Sequence, residues 1–246
     1  MGSDKSKDTQ AYDWEQPQFT CTRIVEPYWI SRYPITVAQY RCFVAARGYE
    51  QPHYWTDAGW AWRSDNQISE PERYGGAFEL DNHPQVGISW YEAVAFCAWL
   101  AEQTQQTVRL PTEAEWERAA RHTDGRIYPW DNGWDRTQCN NAELGLGVTT
   151  AVGIFPGGKS QCSALDLSGN VWEWCSTQWL ENYAEYQHKV RDDLAGDAQR
   201  VVRGGSFGGD PDDVRCAVRG RLIPHGRGND AGFRVVVPSP GPLASV

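Results

Sequence analysis

From residue 109 onward, four short segments follow one another in a fixed order: Arg109-Leu-Pro-Thr-Glu-Ala-Glu-Trp-Glu117, Gly169-Asn-Val-Trp-Glu-Trp174, Arg203-Gly-Gly-Ser-Phe207 and Gly232-Phe-Arg234. Each has a local meaning. Thr112 with Glu115 three residues later is a capping box, so the first segment opens a helix that runs to about Arg121. Asn170 to Trp174 reads as a strand, and Gly204-Gly205 as a turn in which the backbone makes a close approach. One helix followed by short strands and tight turns predicts an α+β domain with little regular structure.

The rest of the chain fits that class. Ser89 and Glu92 form a second capping box, opening a helix to about Gln103 with Ala93, Phe96, Cys97 and Leu100 on one face. These are the two main helices. Thr36 caps a shorter one over 37–46, which Gly48 ends. Phe19 to Ile24 alternates as a strand, and residues 49–85 show no period, which predicts a long structured loop. Beyond Gly125, strands are expected at 128–133, 149–155, 170–174, 199–202, 214–219 and 232–237. No internal repeat and no internal boundary is visible, so residues 1–246 read as one domain. The Pro- and Ser-rich stretch 238–246 reads as a flexible tail.

Thirteen Trp and 40% hydrophobic residues supply a sizeable core. A net charge of −9 argues against nucleic acid or an anionic membrane as partner. No apolar run approaches a membrane span, and no signal-peptide pattern opens the chain. The seven cysteines include no CxxC, and an odd count without framework spacing suits a reducing, cytoplasmic setting with every thiol free.

Familiar catalytic patterns are missing. The five histidines (His53, His83, His122, His188, His225) form no HxH or HExxH, which argues against a histidine metal centre. Gly204-Gly-Ser-Phe207 lacks the nucleophile-elbow pattern, so Ser206 belongs to a turn. Gly157-Gly-Lys-Ser160 lacks the spacing of a phosphate loop. Glu113, Glu115 and Glu117 are expected at a helix cap and in surface ion pairs with Arg109, Arg118 or Arg121.

Taken in order, the four segments resemble the formylglycine-generating enzyme (sulfatase-modifying factor) family, a variant of the C-type lectin fold. That resemblance implies an α+β, C-type lectin-like domain. In the family's enzymes two thiolates after the Gly-Gly-Ser segment bind copper. Here Phe207 to Val214 offers Asp210, Asp212 and Asp213 but no cysteine. The expectation is therefore a protein without formylglycine-generating activity, not an enzyme, and no copper. The resemblance also implies a possible calcium site, with Asp166 and Glu173 giving side-chain oxygens and Gly169 and Val171 giving carbonyls; the alternative is that the two acids only brace the turn. Cys97 and Cys216 fall where secreted relatives place half-cystines, but the matching partner positions hold Val235 and Ala120. A Met-Gly-Ser segment follows the first strand in relatives, which implies a domain drawn from a longer polypeptide, against a rival reading of an appended start.

One compositional feature points further. Lys, Gln, Glu, Trp and Met together occur 48 times in residues 1–199 and not once in residues 200–246. No codon ending in a pyrimidine encodes any of the five. A segment diversified by mutating the adenines of AAC-type codons lacks them at its mutated positions. Such segments end the variable proteins of diversity-generating retroelements, several of which carry this family's domain. Against this, unmutated scaffold positions carry no such codon restriction, and the family's terminal strands favour Arg, Gly, Val and Asn. On this reading the domain is a non-catalytic scaffold, a monomer, that binds a protein or surface ligand through Phe207, Gly208, Asp210, Asp212, Asp213, Arg221, Leu222, Ile223, His225, Arg227 and Asn229. Arg215, Arg219 and Arg234 brace the framework. The alternatives are a generic lectin-like accessory domain and a divergent oxygenase-type relative of the formylglycine-generating enzymes.

Overall fold

Side-chain caps start the main helices. In the computed structural model, which describes residues 1–239, Ser89 and Glu92 close the capping box of the longest helix, α3 (Trp90–Thr104). Thr112 and Glu115 do the same for α4 (Glu113–Arg121), and Thr36 with Gln39 for α1 (Val37–Ala45). α1 ends at Ala45 with Ala46 as its C-cap, before Gly48. Gly48 has another role: a Cβ there would lie 1.9 Å from the Phe43 ring.

Inside the expected loop over 49–85 lies a further helix, α2 (Asp57–Asp65), capped by Thr56. Its only fully buried residue is Gly59, while Ala58, Trp60 and Trp62 are partly buried against the main core. The strand expected over 19–24 does not form; the first is β1 (Tyr28–Ile30). No strand forms over 128–133 or 149–155 either. The remaining elements are β2 (Trp172–Gln178), α5 (Tyr186–Lys189), β3 (Arg200–Arg203), β4 (Arg219–Leu222), β5 (Ala231–Gly232) and β6 (Val236–Pro238). The stretch predicted as a strand over 214–219 is mostly turn, and pairing begins at Arg219.

A four-stranded sheet runs β4-β3-β2-β5, with β2 and β5 parallel and the other pairs antiparallel. A two-stranded sheet joins β1 to β6 near the two ends of the chain. Pro238 therefore belongs to a strand and Ser239 donates its amide to the Pro27 carbonyl at 2.9 Å. The rest of the expected tail lies outside the described residues.

The main core sits between α1, α3 and the four-stranded sheet. Trp90, Trp174, Tyr40 and Phe233 are fully buried, and Phe96 stacks on Tyr40 at 5.3 Å and meets Phe233 edge-on at 5.3 Å. Cys97 and Val235 share this core, while Cys216 and Ala120 share a second one beneath Trp116. All seven cysteines are free.

The glutamates of α4 depart from expectation. Two of the predicted pairs form: Glu115 takes a two-point bridge from Arg109 at 2.6 and 2.7 Å, and Glu117 accepts from Arg121 at 3.2 Å, although that pair is buried rather than on the surface. Glu113 and Glu117 are buried. Arg203 reaches Glu117 at 2.7 Å and Glu113 at 3.3 Å, and Arg219 reaches Glu113 at 2.7 Å. Apart from Arg121 beside Glu117, their counter-ions come from strands 86 to 106 residues away, beyond the reach of any local spacing rule.

Candidate functional face

The candidate face is built on the turn that follows β3. Gly204 and Gly205 both have positive φ, 95° and 70°. A Cβ on Gly205 would lie 2.6 Å from the Asp213 carbonyl oxygen, so only glycine allows this reversal. Ser206 is buried in the turn, where its carbonyl accepts from the Gly209 amide at 3.0 Å. The Phe207 amide donates to the Asn170 carbonyl at 3.0 Å, and Ala142 donates to the Gly209 carbonyl at 2.9 Å. A one-turn helix over 211–214 follows, with Asp213 closing onto the Asp210 amide and accepting from the Tyr12 hydroxyl at 3.0 Å.

A second arm leaves β4 at Leu222. Its backbone is pinned where the Pro224 carbonyl accepts from Trp90, the Gly228 carbonyl from Gly87 and the Asp230 carbonyl from Trp172, at 3.0, 2.9 and 2.8 Å. The segment 70–80 spans the gap between the arms. Phe78 packs on Phe207 with ring centroids 5.9 Å apart, Tyr74 packs on Phe78 at 6.0 Å, and the Tyr74 hydroxyl donates to the Arg227 carbonyl at 2.9 Å. A line of contacts thus runs from Phe207 through Phe78 and Tyr74 to Arg227. Sequence reasoning missed Tyr74 and Phe78, because residues 70–80 show no periodicity and bear no motif, and it stopped one residue short of Asp230. Asp230 is partly buried, and that burial pushes its carboxyl up.

The eleven candidate residues do not share one environment. Gly208, Asp210, Arg221, Ile223 and His225 are exposed. Phe207, Asp212, Asp213 and Asn229 are half-buried. Leu222 packs against the main core. Arg227 is held inside, its guanidinium 2.8 Å from the buried Glu92 and bonded to the Glu70 carbonyl. Arg221 lies apart from the Phe207–Arg227 line, paired with Glu181 at 2.6 Å and resting on the Trp179 ring. Arg215, Arg219 and Arg234 are each 2% exposed or less.

The turn at 166–173 brings its four candidate calcium ligands into one segment, but the donor set does not suit a cation. Both Glu173 oxygens accept from Arg234, at 2.6 and 2.7 Å, and Trp116 Nε1 adds a bond at 2.6 Å. A guanidinium already supplies the positive charge. The Gly169 carbonyl accepts from the Val171 amide at 2.9 Å, and Asp166 accepts from the Gly153 amide at 2.7 Å. Burial pushes the Asp166 carboxyl up to about 6. This geometry fits the bracing alternative. Among the described residues no group of three His, Cys, Asp or Glu side chains is placed to hold a metal ion. None of the described helices is long and apolar enough to cross a membrane.

Comparison with known proteins places this geometry in context. Residues 1–238 match the sulfatase-modifying factor enzyme 1-like domain. Hercynine oxygenase of Mycolicibacterium thermoresistibile is 30% identical across 96% of this chain and 56% of that protein. Formylglycine-generating enzyme of Thermomonospora curvata is 32% identical across 74% of this chain and 72% of that protein. The chain therefore spans little more than half the length of the hercynine oxygenases it matches. Among solved structures, PvdO from Pseudomonas aeruginosa superposes with a TM-score of 0.77 at 24% identity, covering 97% of this chain and 90% of that one. Treponema denticola variable protein 1 superposes with a TM-score of 0.63 at 20% identity, covering 86% and 84%. The expected α+β, C-type lectin-like fold of the formylglycine-generating type is shown by these matches. The expectation that the chain is not an enzyme is overturned: its relatives in sequence bear the names of enzymes. The missing thiol pair bears on one copper chemistry and could not speak for the other activities this fold carries.

Proposed function

Because the chain belongs to the sulfatase-modifying factor enzyme 1-like domain family, we propose that it uses this fold to bind a protein or surface ligand through the face formed by residues 207–229, in the manner of a variable protein. One observation carries the reading. Within the segment that lacks Lys, Gln, Glu, Trp and Met, the buried positions Arg203, Arg215, Arg219 and Arg234 hold the framework, while all eleven candidate residues keep some exposure. Substitution at the exposed positions leaves the ion pairs of the framework intact, which is what a diversified binding surface requires. The fold shared with Treponema denticola variable protein 1 supports the same reading. The domain acts as a single unit and as a monomer in a reducing, cytoplasmic setting, which its seven free cysteines support. The test is a display library randomised at Gly208, Asp210, Ile223 and His225 and selected against unrelated protein targets. Recovery of folded, target-specific binders supports the proposal. A library that yields only unfolded or non-binding variants overturns it.

A second reading, an oxygenase-type role, is favoured by the 30% identity to hercynine oxygenase across 96% of this chain. Oxygen consumption that depends on this protein and on added hercynine would select it over the first.

A further inference from the structure

A cavity of about 260 Å³ lies between α3, residues 108–112 and the loop over 191–194. Its walls are Val94, Cys97 and Ala98 from α3, Val108 and Leu110 from the following strand-like segment, and Leu194 from the loop. Leu194 is 41% exposed, an apolar side chain at the mouth of an apolar cavity.

The polar groups that reach the lining are already satisfied. Both Nη atoms of Arg109 are bound to Glu115, at 2.7 and 2.6 Å. Asp192 accepts from Thr177 at 2.5 Å and from Arg23 at 3.0 Å. Thr112 Oγ1 caps α4, and Ser176 Oγ donates to the Pro111 carbonyl at 3.4 Å. No lining charge is left to receive a counter-ion, so an ionic ligand would lose its hydration and gain nothing in return.

The loop that bounds the cavity is fixed rather than loose. Arg200, fully buried and 3.9 Å over the Trp90 ring, donates to the carbonyls of Ser176, Asp193 and Ala195 at 2.7, 2.6 and 2.8 Å. Gln178 donates its amide to the Arg191 carbonyl at 2.8 Å. An arginine committed to loop carbonyls holds the shape of the mouth before any ligand arrives, and preorganisation of this kind lowers the entropic cost of binding.

We propose that this cavity is a binding site for a small, uncharged, apolar ligand of one or two rings. Dry apolar cavities of about 150 Å³ admit benzene, so this one has room for a bicyclic compound. The site is separate from the 207–229 face and stands or falls independently of it.

Indole is the probe. Titration of the full chain, followed by methyl resonances in heteronuclear NMR, is expected to give saturable shifts at Val94, Val108 and Leu194. Ala98→Trp fills the cavity and is expected to weaken binding at least about tenfold, and benzoate, of similar size but anionic, to bind at least about tenfold more weakly than indole. Indole is also expected to slow modification of Cys97 by methyl methanethiosulfonate in the unmutated protein, which decides the matter if Ala98→Trp fails to fold. Shifts that do not saturate, Cys97 modification unaffected by indole, or undiminished binding to a folded Ala98→Trp protein would each overturn the site. Equal binding of benzoate would overturn its assignment to uncharged ligands.

Discussion

Arg234 donates to both carboxylate oxygens of Glu173, from Nε at 2.6 Å and from Nη2 at 2.7 Å, and neither side chain is exposed. The pair joins β2 to the last strands of the chain. Trp116 of α4 bonds the same carboxylate, and Arg234 also reaches the Leu165 carbonyl at 2.8 Å. Removing one partner strands a buried charge. Glu173→Gln is expected to destabilise the protein by about 3–5 kcal/mol, whereas joint replacement of both residues by apolar side chains should cost less than the two single changes together. Urea denaturation of the three variants measures this. Additive losses would mean that the two groups are not energetically coupled.

The same bonds engage both Glu173 oxygens, and Arg234 already supplies the positive charge that a cation would bring. Adding calcium, or removing it with a chelator, is expected to leave the melting temperature unchanged. A ligand that binds only the native state stabilises by about 2.7 kcal/mol at a hundredfold excess over its Kd, an effect no thermal melt would miss. A rise with calcium that Asp166→Ala abolishes would restore the calcium site.

Asp166 makes a pH prediction. Burial raises its carboxyl from 3.8 to about 6. Below the lower value both folded and unfolded chains hold the proton, and Asp166 carries no penalty. As the pH rises from about 4 to 6 the unfolded chain loses its proton first, so this group progressively disfavours folding, and above 6 the penalty is complete. Asp166→Asn keeps an oxygen for the Gly153 amide and tolerates the φ of 56° found there. It is expected to raise stability at pH 7–8 by on the order of 2–3 kcal/mol and to have little effect near pH 4. A gain of equal size at both pH values would show that charge is not the cause.

Thiol reactivity should sort by burial. Cys42 and Cys162 are exposed, whereas Cys97, Cys139, Cys175 and Cys216 are buried, and burial pushes Cys139 and Cys216 up to about 12. Native protein at pH 8 is expected to show two fast thiols, and denatured, non-reduced protein all seven. Five or fewer on denaturation would reveal a disulfide.

The capping boxes of α3 and α4 were legible because both partners sit three residues apart on the chain, and the α+β fold followed from the ordered segments that carry the family resemblance. The burial of Glu113 and Glu117 was not legible. Their acidity reads as surface until Arg203 and Arg219 are brought in from distant strands, and only the folded chain does that. α2 escaped because its apolar residues, Ala58, Trp60 and Trp62, lie in a stretch rich in Gly, Pro and polar residues that reads as loop. On the candidate face, residues 207–229 drew attention by composition, but Phe78 and Tyr74 join it through ring contacts that no spacing encodes. Arg227 was read as a surface residue because its acid partner, Glu92, lies 135 positions earlier.

That division gives the last prediction. If 207–229 is a tolerant binding face on a fixed frame, substitutions within it should sort by what each side chain touches. Asp210, Ile223 and His225 are exposed, so Asp210→Tyr, Ile223→Ser and His225→Asn are each expected to stay within about 0.5 kcal/mol of the parent. Leu222 packs on the main core, and Leu222→Ser should cost clearly more. Arg227→Ser leaves the buried Glu92 without its cation, which should be the costliest change in the segment, on the order of 3 kcal/mol. Trp174→Ala opens a void in the core and sets the upper reference, about 3–5 kcal/mol. Thermal or urea melts of these six variants settle the order. Large losses at Asp210, Ile223 and His225 would mean that the segment is structural throughout, and a recognition face there would have to be abandoned.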